Sequence, residues 1–504
     1  LLQAMPKDAS LDLFLGLYVQ VWCLQLLKER ARGALLTPCV LALAAAVAFA
    51  GAALVRRRHK HEARKAVAAA GLYYLARRGS SSNHVLLQAL LAVAVLEARG
   101  GDALRAYGRQ LLGALYGTTA LAKLNDGWVD ARGSCVALIA AAGFHEIGLP
   151  PPPRAVFAAQ PYVGIVAEVA LAVAFVLRST GRLGSRRWTI ALAIAGGAFH
   201  VLLAAPRPPL SVYPFSALMA PLFALGLSDG SDLDGAKASL GLALGSVALA
   251  EAHKLLVGAA AARVEYPPYV SWDLGLSWCA LAFVLVARDA VAAPPRRPAR
   301  VHRTSLAAML LLLASALPYV GLRTHPSFIM FSNLRIEGGR SNHWFLSSSV
   351  LKHIDLGGGA MADTVIVYKA SPAIRDLEVD LGRYVDPRVA AAVDAANASR
   401  RFLISPPLGA WPLPDWPAPA GRAADTFAVP FVELRRRVSA AAAAGLDAAV
   451  TYERAGARRT FSIKRDGSLA AGSDPLLREP LPAPWRWVYR FRPFDAEGVV
   501  HCRH

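Results

Sequence analysis

Two residues at the ends of apolar segments have side chains that could move protons. Lys123 ends a moderately apolar segment that begins near Leu111, and His84 opens the apolar run from Val85. A lysine in a protein-lined cavity at membrane depth is desolvated, which disfavours its ammonium form and favours an amine that accepts a proton near pH 7. An imidazole at the mouth of that cavity would hydrogen-bond the reacting group. Each residue also has a structural interpretation: the lysine reaches the lipid headgroups, and the polar residues beside His84 cap a helix.

Asparagine is rare in this chain and stands beside these basic residues. It occurs at only five positions. Asn83 directly precedes a histidine, and so does Asn342, which is followed by His343. Asn125 lies two residues after the lysine, in the run that ends at Trp128. These places are therefore candidates for polar groups that bind a ligand.

The composition indicates an integral membrane protein. Of 504 residues, 55% are hydrophobic and 18% are charged, against about 25% charged in an average soluble protein. These values exclude a disordered chain, a collagen and a disulfide-rich mini-protein. The net charge of +20 comes from short arginine clusters between apolar runs, such as residues 56–58, a pattern typical of membrane-facing loops. Nucleic acid is therefore not an expected partner, whereas membrane lipids are.

Apolar runs recur through the first two thirds of the chain. A helix needs roughly 20 apolar residues to cross a bilayer. We therefore expect an α-helical polytopic membrane domain over residues 1–321, with about eight to ten spans. The clearest spans are Leu35–Val55, Tyr162–Leu177, Trp188–Ala204, Leu210–Leu227, Ser239–Leu256, Leu274–Ala287 and Ser305–Val320. The less certain ones are Leu11–Leu27, Val85–Leu96, Leu104–Leu121 and Cys135–Phe144.

Residues 322–504 contain no apolar run long enough to span, and they predict a smaller extramembrane α+β domain. A hairpin is expected where two alternating segments flank a glycine-containing turn. The predicted strands are Thr364–Tyr368, Ala449–Arg454, Thr460–Lys464 and Trp485–Phe494, the predicted helices are Pro387–Arg400 and Val429–Ala443, and Pro406–Pro419 is a predicted loop.

Basic loops predict the orientation. Arg178–Arg187 and Arg288–Arg303 are strongly basic and should be cytoplasmic. The following span then places the C-terminal domain in the lumen or outside the cell. A glycosylation sequon at Asn397 agrees with this side. In a eukaryote we expect the endoplasmic reticulum or another endomembrane. The five cysteines are scattered without CxxC spacing, which predicts neither a disulfide framework nor a metal site.

Several motifs together resemble one family. Ser82-Asn83-His84 enters a span, and Ala122–Val129 follows some 40 residues later with the sequence AKLNDGWV. Phe199-His200, Tyr213–Met219 and Leu317–Leu334 resemble later spans of the same family in the same order. Over roughly residues 70–345 the chain resembles the vitamin K-dependent γ-glutamyl carboxylase superfamily, which includes the HTTM (horizontally transferred transmembrane) proteins.

The resemblance implies roles for individual residues. Lys123 matches the lysine that deprotonates reduced vitamin K, and Asn83 with His84 matches an asparagine–histidine pair at the reaction centre. The family's carboxylases use oxygen to convert the quinol to its epoxide, and the strong base so produced lets carbon dioxide add to a peptidyl Glu. Reduced vitamin K or a related lipid quinol, without a metal, is the implied cofactor, and a Glu-containing peptide or protein is the implied substrate. Roles in binding the substrate or cofactor are implied for Asn125, Trp128, His200, Tyr213, Asn342 and His343.

Two departures leave other functions open. The carboxylases have an acidic residue where this chain has Asn125, and the segment Arg335–Trp344 looks more like the HTTM branch. One alternative is a membrane protein that binds a quinone or lipid without carboxylating anything. A second is a small-solute transporter with Glu251, His253 and Lys254 as coupling groups, and a third is a scaffold or sensor that uses its outer domain.

Other polar sites have mainly structural interpretations. The polar residues of Arg335–His343 would brace the two domains at the membrane exit. His145-Glu146 is expected at the membrane interface, and the tail His501–His504 is expected to be a disordered end.

Overall fold

The computed structural model describes residues 83–98, 101–130, 153–205, 212–227 and 268–292, and, with short gaps, 303–371 and 427–494. It also describes isolated positions within 17–21, 134–140 and 242–245, and position 374. Several predictions of the sequence analysis therefore lie wholly or mostly outside the described residues. They are Leu11–Leu27, Leu35–Val55, Ser239–Leu256 with its three ionisable residues, His145-Glu146, Pro387–Arg400, the Asn397 sequon, Pro406–Pro419 and the C-terminal tail.

A bundle of helices forms the larger described part of the molecule. Its shared core is apolar and rich in aromatic rings, among them Tyr116, Phe175, Phe223 and Phe283. The second helix packs along the fourth, and the fifth, sixth and seventh pack on one another. The helices are α1 Asn83–Glu97, α2 Gly101–Ala122, α3 Asp126–Val129, α4 Arg154–Ser179, α5 Arg186–Ala204, α6 Tyr213–Leu227, α7 Pro268–Ala292 and α8 Leu306–Ala316.

Three segments of these helices are long and apolar enough to cross a bilayer: Ala155–Ser179, Arg186–Ala204 and Leu274–Ala292. Other apolar helices are shorter. Helix α6 has 15 residues, and α8 has 11. The span predicted over Ser305–Val320 therefore ends as a helix at Ala316. Leu317 still has helical φ and ψ angles, but Pro318 after it has no N–H to continue the ladder.

A five-stranded antiparallel sheet follows the bundle in the chain. The spatial order of its strands is β2-β1-β3-β4-β5, and every neighbouring pair is antiparallel. Helix α10 packs on one face through Leu434 and Val438, which join Val365, Val450 and Phe461 in a separate apolar core. The elements are α9 Ser348–Ile354, β1 Thr364–Ala370, β2 Phe427–Pro430, α10 Phe431–Ala443, β3 Ala448–Arg454, β4 Ala457–Ile463, β5 Leu469–Ala471 and α11 Pro475–Arg478.

The predicted hairpin is confirmed. Strands β3 and β4 pair from Ala448 with Ile463 to Arg454 with Ala457. The two turn residues, Ala455 and Gly456, have φ angles of 50° and 76°. Positive φ at both central positions is the turn whose twist matches that of the two strands.

One predicted strand of the C-terminal part was wrong, and the predicted helix Val429–Ala443 is confirmed with a later start. Trp485–Phe494 is not a strand: its described residues make only isolated bridges, from Arg490 to Arg323 and from Phe494 to Ala428. Helix α10 begins at Phe431, because the preceding residues pair with β1 as strand β2. Tertiary pairing with β1 decides the conformation there, and a local pattern does not contain that information.

The bundle and the C-terminal part share a core and a polar junction. Ala122 at the end of α2 packs in one cluster with Ile336, Leu351 and Phe491. Beside it, Asn125 and His343 form a backbone bridge. The polar segment that was predicted to brace the membrane exit therefore does contact the end of α2.

Candidate functional site

An apolar cavity lies at the end of the bundle that contacts the C-terminal part. The space outside the protein atoms, which includes open solvent at the mouth, is about 670 Å³. Small-molecule sites typically combine apolar walls with a few placed polar groups. Its lining is Asn83, Thr119, Lys123, Trp128, Val136, Ile139, Gly164, Glu168, Phe199, Leu203, Val212, Phe215 and Phe328.

A buried ion pair supplies the charge in this cavity. The Nζ atom of Lys123 lies 2.9 and 2.8 Å from the two carboxylate oxygens of Glu168. Both side chains are about one tenth exposed. The ammonium also lies 5.1 Å from the centre of the Trp128 ring, within the range of a cation–π interaction. The lysine is therefore held inside the cavity by a carboxylate and an aromatic face.

Helix periodicity aims the two partners at each other. Thr119 and Lys123 are one turn apart at the end of α2, and the Nζ atom lies 3.4 Å from the Thr119 carbonyl oxygen. Gly164 and Glu168 are likewise one turn apart on α4. A Cβ atom at Gly164 would lie 3.1 Å from Cζ2 of Trp128, so the glycine lets the indole pack against the helix.

Trp128 is fixed as part of the cavity wall. Its Nε1 donates a 2.8 Å hydrogen bond to the carbonyl oxygen of Pro161 in α4. Its backbone N–H donates to Oδ1 of Asn125, the N-cap of the short helix α3. The indole therefore connects the end of α2 to α4.

Asn83 shapes the opposite side of the cavity. Its Oδ1 accepts hydrogen bonds from the backbone N–H groups of Ser327 and Phe328, at 2.9 and 3.0 Å. Phe328 has a φ of 59°, an uncommon conformation for a bulky residue. The asparagine thus holds a strained turn that presents Phe328 to the cavity.

His84 does not line this cavity, although its neighbour Asn83 does. Consecutive helical residues point about 100° apart, so the two side chains of an adjacent pair face different directions. The nearest acid–base partner of Lys123 among the described residues is Glu168. A reacting role for His84 stays a prediction.

Asn125 and Asn342 form a structural junction outside the cavity lining. Asn125 is fully buried, and its amide nitrogen donates to the carbonyl oxygens of Ala122 and Ser332, both at 2.8 Å. Its Oδ1 accepts from Trp128 and from Nδ2 of Asn342. The side chain of Asn125 has thereby used its donors and acceptors on the protein, so it supports Trp128 instead of binding a ligand directly.

His343 also belongs to this junction. Its Nδ1 accepts from the backbone N–H groups of Phe345 and Leu346, which leaves Nε2 to donate to the carbonyl oxygen of Leu121 at 3.0 Å. Burial lowers the pKa of His343, although its hydrogen bond to Leu121 opposes the shift. The neutral imidazole therefore fits this position and ties the C-terminal part to α2.

His200 and Tyr213 lie in the bundle and do not line the cavity. His200 stacks on Phe283, and its Nε2 is 2.6 Å from the hydroxyl of Tyr116. Tyr213 packs against the backbone of Gly275, where a Cβ atom would lie 2.4 Å from its ring. His200 is one residue from the lining residue Phe199, so its contribution to the cavity is indirect.

Glu168 is the functional candidate that the sequence analysis missed. It is the single acidic residue in the predicted span Tyr162–Leu177. An ionisable residue inside an apolar span is costly and usually has a partner, so this isolated carboxylate was a usable signal. The identity of its partner was not accessible from spacing, because 45 residues separate it from Lys123.

Two further features bear on chemistry. No group of three or more potential metal ligands occurs among the residues that the structure describes. Cys135 is disulfide-bonded, although the scattered cysteines predicted no disulfide framework. Cys279 is free and buried. Cys135 sits at the C-terminal side of the bundle, where its N–H donates to Oδ1 of Asn333.

Comparisons with protein-family models, with curated proteins and with solved structures find no match for this chain.

Proposed function

We propose that this chain is an integral membrane enzyme that binds reduced vitamin K, or a related lipid quinol, in the Lys123 cavity and uses Lys123 as a base. The observation that carries the proposal is the buried Lys123–Glu168 pair in the wall of an otherwise apolar cavity. The resemblance to the γ-glutamyl carboxylase superfamily supplies the chemical class. The reaction proposed is quinol epoxidation coupled to carboxylation of a peptidyl Glu.

The cavity suits an amphipathic ring. A quinol combines an apolar ring and tail with hydroxyl groups, and the lining offers aromatic and aliphatic walls with one charged pair. Phe199, Phe215 and Phe328 provide faces for a ring, while Lys123 and Glu168 provide the polar end. Lipid-soluble ligands enter from the bilayer, so a site among the helices needs no aqueous channel.

Lys123 can act as a base only after its ammonium group has lost a proton, and Glu168 is the group that can accept that proton. In the proposed step, Lys123 Nζ passes one proton to the Glu168 carboxylate over 2.8 Å and becomes a neutral amine. The amine then accepts a proton from a bound hydroxyl, so that the ammonium is restored beside the charge that the ligand acquires. Reduced vitamin K supplies the oxygen-dependent chemistry that no side chain can perform, because a Glu γ-proton is too weakly acidic for a protein base.

The proposed membrane arrangement places the helical part in the bilayer and the C-terminal part outside it. We place residues 1–321 in the bilayer with about eight to ten spans, and residues 322–504 on the lumenal or extracellular side. The outward faces of α4 and α8 are apolar, with Val163, Val166 and Leu313 about 60% exposed. The disulfide at Cys135, on the side of the C-terminal part, supports an oxidising compartment there.

The test is an assay that follows epoxide and carboxylation separately. The purified chain in detergent receives reduced vitamin K, oxygen, labelled bicarbonate and a Glu-rich peptide. We expect epoxide from the wild type and from the control Lys369→Ala, whose lysine is exposed on β1, and none from Lys123→Ala. Absence of epoxide in the wild type, where an authentic carboxylase is active, would overturn the proposal.

The alternative of a quinol site without carboxylation has its own outcome in this assay. Epoxide formation that depends on Lys123, with no label in the peptide, would retain the quinol chemistry and reject the peptide as substrate. The resemblance of Arg335–Trp344 to the HTTM branch is the observation that favours this second function.

A further inference from the structure

An exposed apolar segment follows the junction at the end of the bundle. We call it the 344–356 segment, after its residues Trp344–Leu356. It contains the short helix α9 and the loops on either side. Five of its large apolar side chains are exposed to solvent by 38–71%: Trp344, Phe345, Val350, Ile354 and Leu356. Exposed apolar side chains in such a concentration mark a site of contact with another apolar phase or molecule.

Both ends of the 344–356 segment are attached to the ends of bundle helices. The N–H of Trp344 donates to the carbonyl oxygen of Leu124, just beyond α2, at 2.9 Å. The N–H of Leu356 donates to the carbonyl oxygen of Val320, four residues beyond α8, also at 2.9 Å. The segment therefore lies at the level where these helices end.

One face of α9 holds the segment against the protein and the other faces outward. Leu351 is buried in the core cluster with Ala122 and Phe491. Val350 and Ile354, four residues apart on the same face, are exposed. This is the arrangement of an amphipathic helix that lies along a surface.

Other exposed apolar side chains lie on the helices of the bundle. On α8, Leu306, Met309 and Leu313 are exposed by 47–61%. On α4, exposed valines run from Val156 to Val176, a length of roughly 30 Å at 1.5 Å per residue, which equals the hydrocarbon thickness of a bilayer. The hydrogen bond from Leu356 to Val320 places the 344–356 segment near the end of α8.

We propose that the 344–356 segment lies in the headgroup layer of the bilayer that the bundle crosses, as an interfacial anchor of the C-terminal part. The partner is a lipid surface. Tryptophan is favoured at this depth, and the exposed Lys352 can extend its ammonium group to the headgroup layer. The inference rests on the proposed membrane arrangement but not on the quinol chemistry.

A depth measurement tests the anchor on the full chain. Phe345→Cys carries an environment-sensitive fluorophore, and the protein is reconstituted as one copy per lipid nanodisc. Lipids with a spin label near the headgroup or deep in the acyl chain act as quenchers. The matched control is Ala457→Cys at the exposed start of β4, and the wild-type chain treated with the same reagent gives the background from native cysteines.

The anchor predicts loss of fluorescence at residue 345 with the shallow spin label, less loss with the deep label and none at residue 457. A residue-345 label that stays unquenched in both lipids would overturn the proposal. Protection of residue 345 from the shallow spin label in discs that hold two copies would instead assign the surface to a second copy of the chain. Because the label reports depth only, failure of the quinol assay leaves this result unchanged.

Discussion

The Lys123–Glu168 pair is nearly excluded from solvent, so each charge depends on the other. Removing one partner of a buried pair typically costs about 3–5 kcal/mol, since the remaining charge is left unpaired, whereas replacing both by apolar groups is often neutral. We therefore predict that Lys123→Met and Glu168→Leu each lower the thermal stability in detergent. The double variant should recover most of the wild-type stability.

The exposed ion pair Arg454–Asp363 is the control for this comparison of single and double variants. Its side chains are 25% and 43% exposed, and such pairs contribute at most about 1 kcal/mol. Asp363→Asn should therefore change the unfolding midpoint much less than Glu168→Leu does. Additive losses in the Lys123/Glu168 double variant would contradict a direct pair between these residues.

A second buried carboxylate makes the C-terminal part sensitive to acid. Burial alone would raise the pKa of Glu433, but Arg436 and Arg437 outweigh it and lower the pKa to about 2. A carboxylate whose folded-state pKa is depressed stabilises the fold above its unfolded pKa, near 4.5, and loses that contribution as the pH falls towards 2. We predict an unfolding free energy that decreases across this window, on the order of 3 kcal/mol in total.

Circular dichroism during denaturant unfolding, measured from pH 5 to pH 2.5, checks this dependence. Glu433→Gln should be less stable at pH 5, because both guanidinium groups lose their anionic partner, and its stability should vary less with pH. A wild-type slope that survives in Glu433→Gln would assign the acid sensitivity to other groups.

At the residue scale the sequence was informative about Lys123 and incomplete about its partner. The place of the lysine at the end of an apolar segment, together with the motif around it, singled out a residue that lines the cavity. The sequence motifs placed Asn125 and Asn342 beside this region. They did not show whether these side chains are open to a ligand or already hydrogen-bonded to the protein. That distinction depends on Ser332 and Trp128, which meet Asn125 only in the folded chain.

At the scale of helices, close packing depends on a few glycines. A Cβ atom at Gly196 in α5 would lie 2.1 Å from Cε1 of Phe223. The Phe223 ring is enclosed by Phe175 and Phe283, with centroids at 5.3 and 5.6 Å, and so it has little room to shift. We predict that Gly196→Ala costs about 1–3 kcal/mol by overpacking, measured as a lower thermal midpoint.

Gly117→Ala is the matched control for this prediction. Its Cβ atom would meet only Ala172, at 4.0 Å. In a helix interior, replacing glycine by alanine at an unstrained site stabilises by roughly 0.5–1 kcal/mol. A Gly196→Ala midpoint equal to or above that of Gly117→Ala would show that α5 and α6 do not pack as closely as described.

Local patterns predicted elements well where the pairing is also local. The hairpin of β3 and β4 needs only its two alternating segments and the Ala455-Gly456 turn. The predicted strand at Trp485–Phe494 failed because its bridges reach Arg323 and Ala428, far away in the chain. The predicted helix Val429–Ala443 included the last two residues of strand β2 for the same reason, since the partner strand β1 is some 60 residues distant.

At the scale of the whole molecule, the cavity lies where the bundle meets the C-terminal part. Asn83 holds the turn at Phe328, and Asn125 with His343 connects the end of α2 to the segment after α8. The cavity wall is therefore built from both sides of the junction. Composition predicted a helical part followed by an α+β part, but this shared site became apparent only from the three-dimensional packing.

The proposed function requires that the Lys123 cavity bind a lipid quinone, and this binding can be measured directly. Leu203 lines the cavity, and its neighbour Leu202 is 62% exposed on the outer surface of α5. Leu203→Trp should fill the cavity, while Leu202→Trp adds the same bulk outside it. The measurement is saturation binding of radiolabelled vitamin K quinone to the purified chain, with thermal midpoints to confirm folding. We predict one saturable site in the wild type and in Leu202→Trp, and its loss in a folded Leu203→Trp. Equal binding by all three proteins, or none by the wild type, would contradict the central claim.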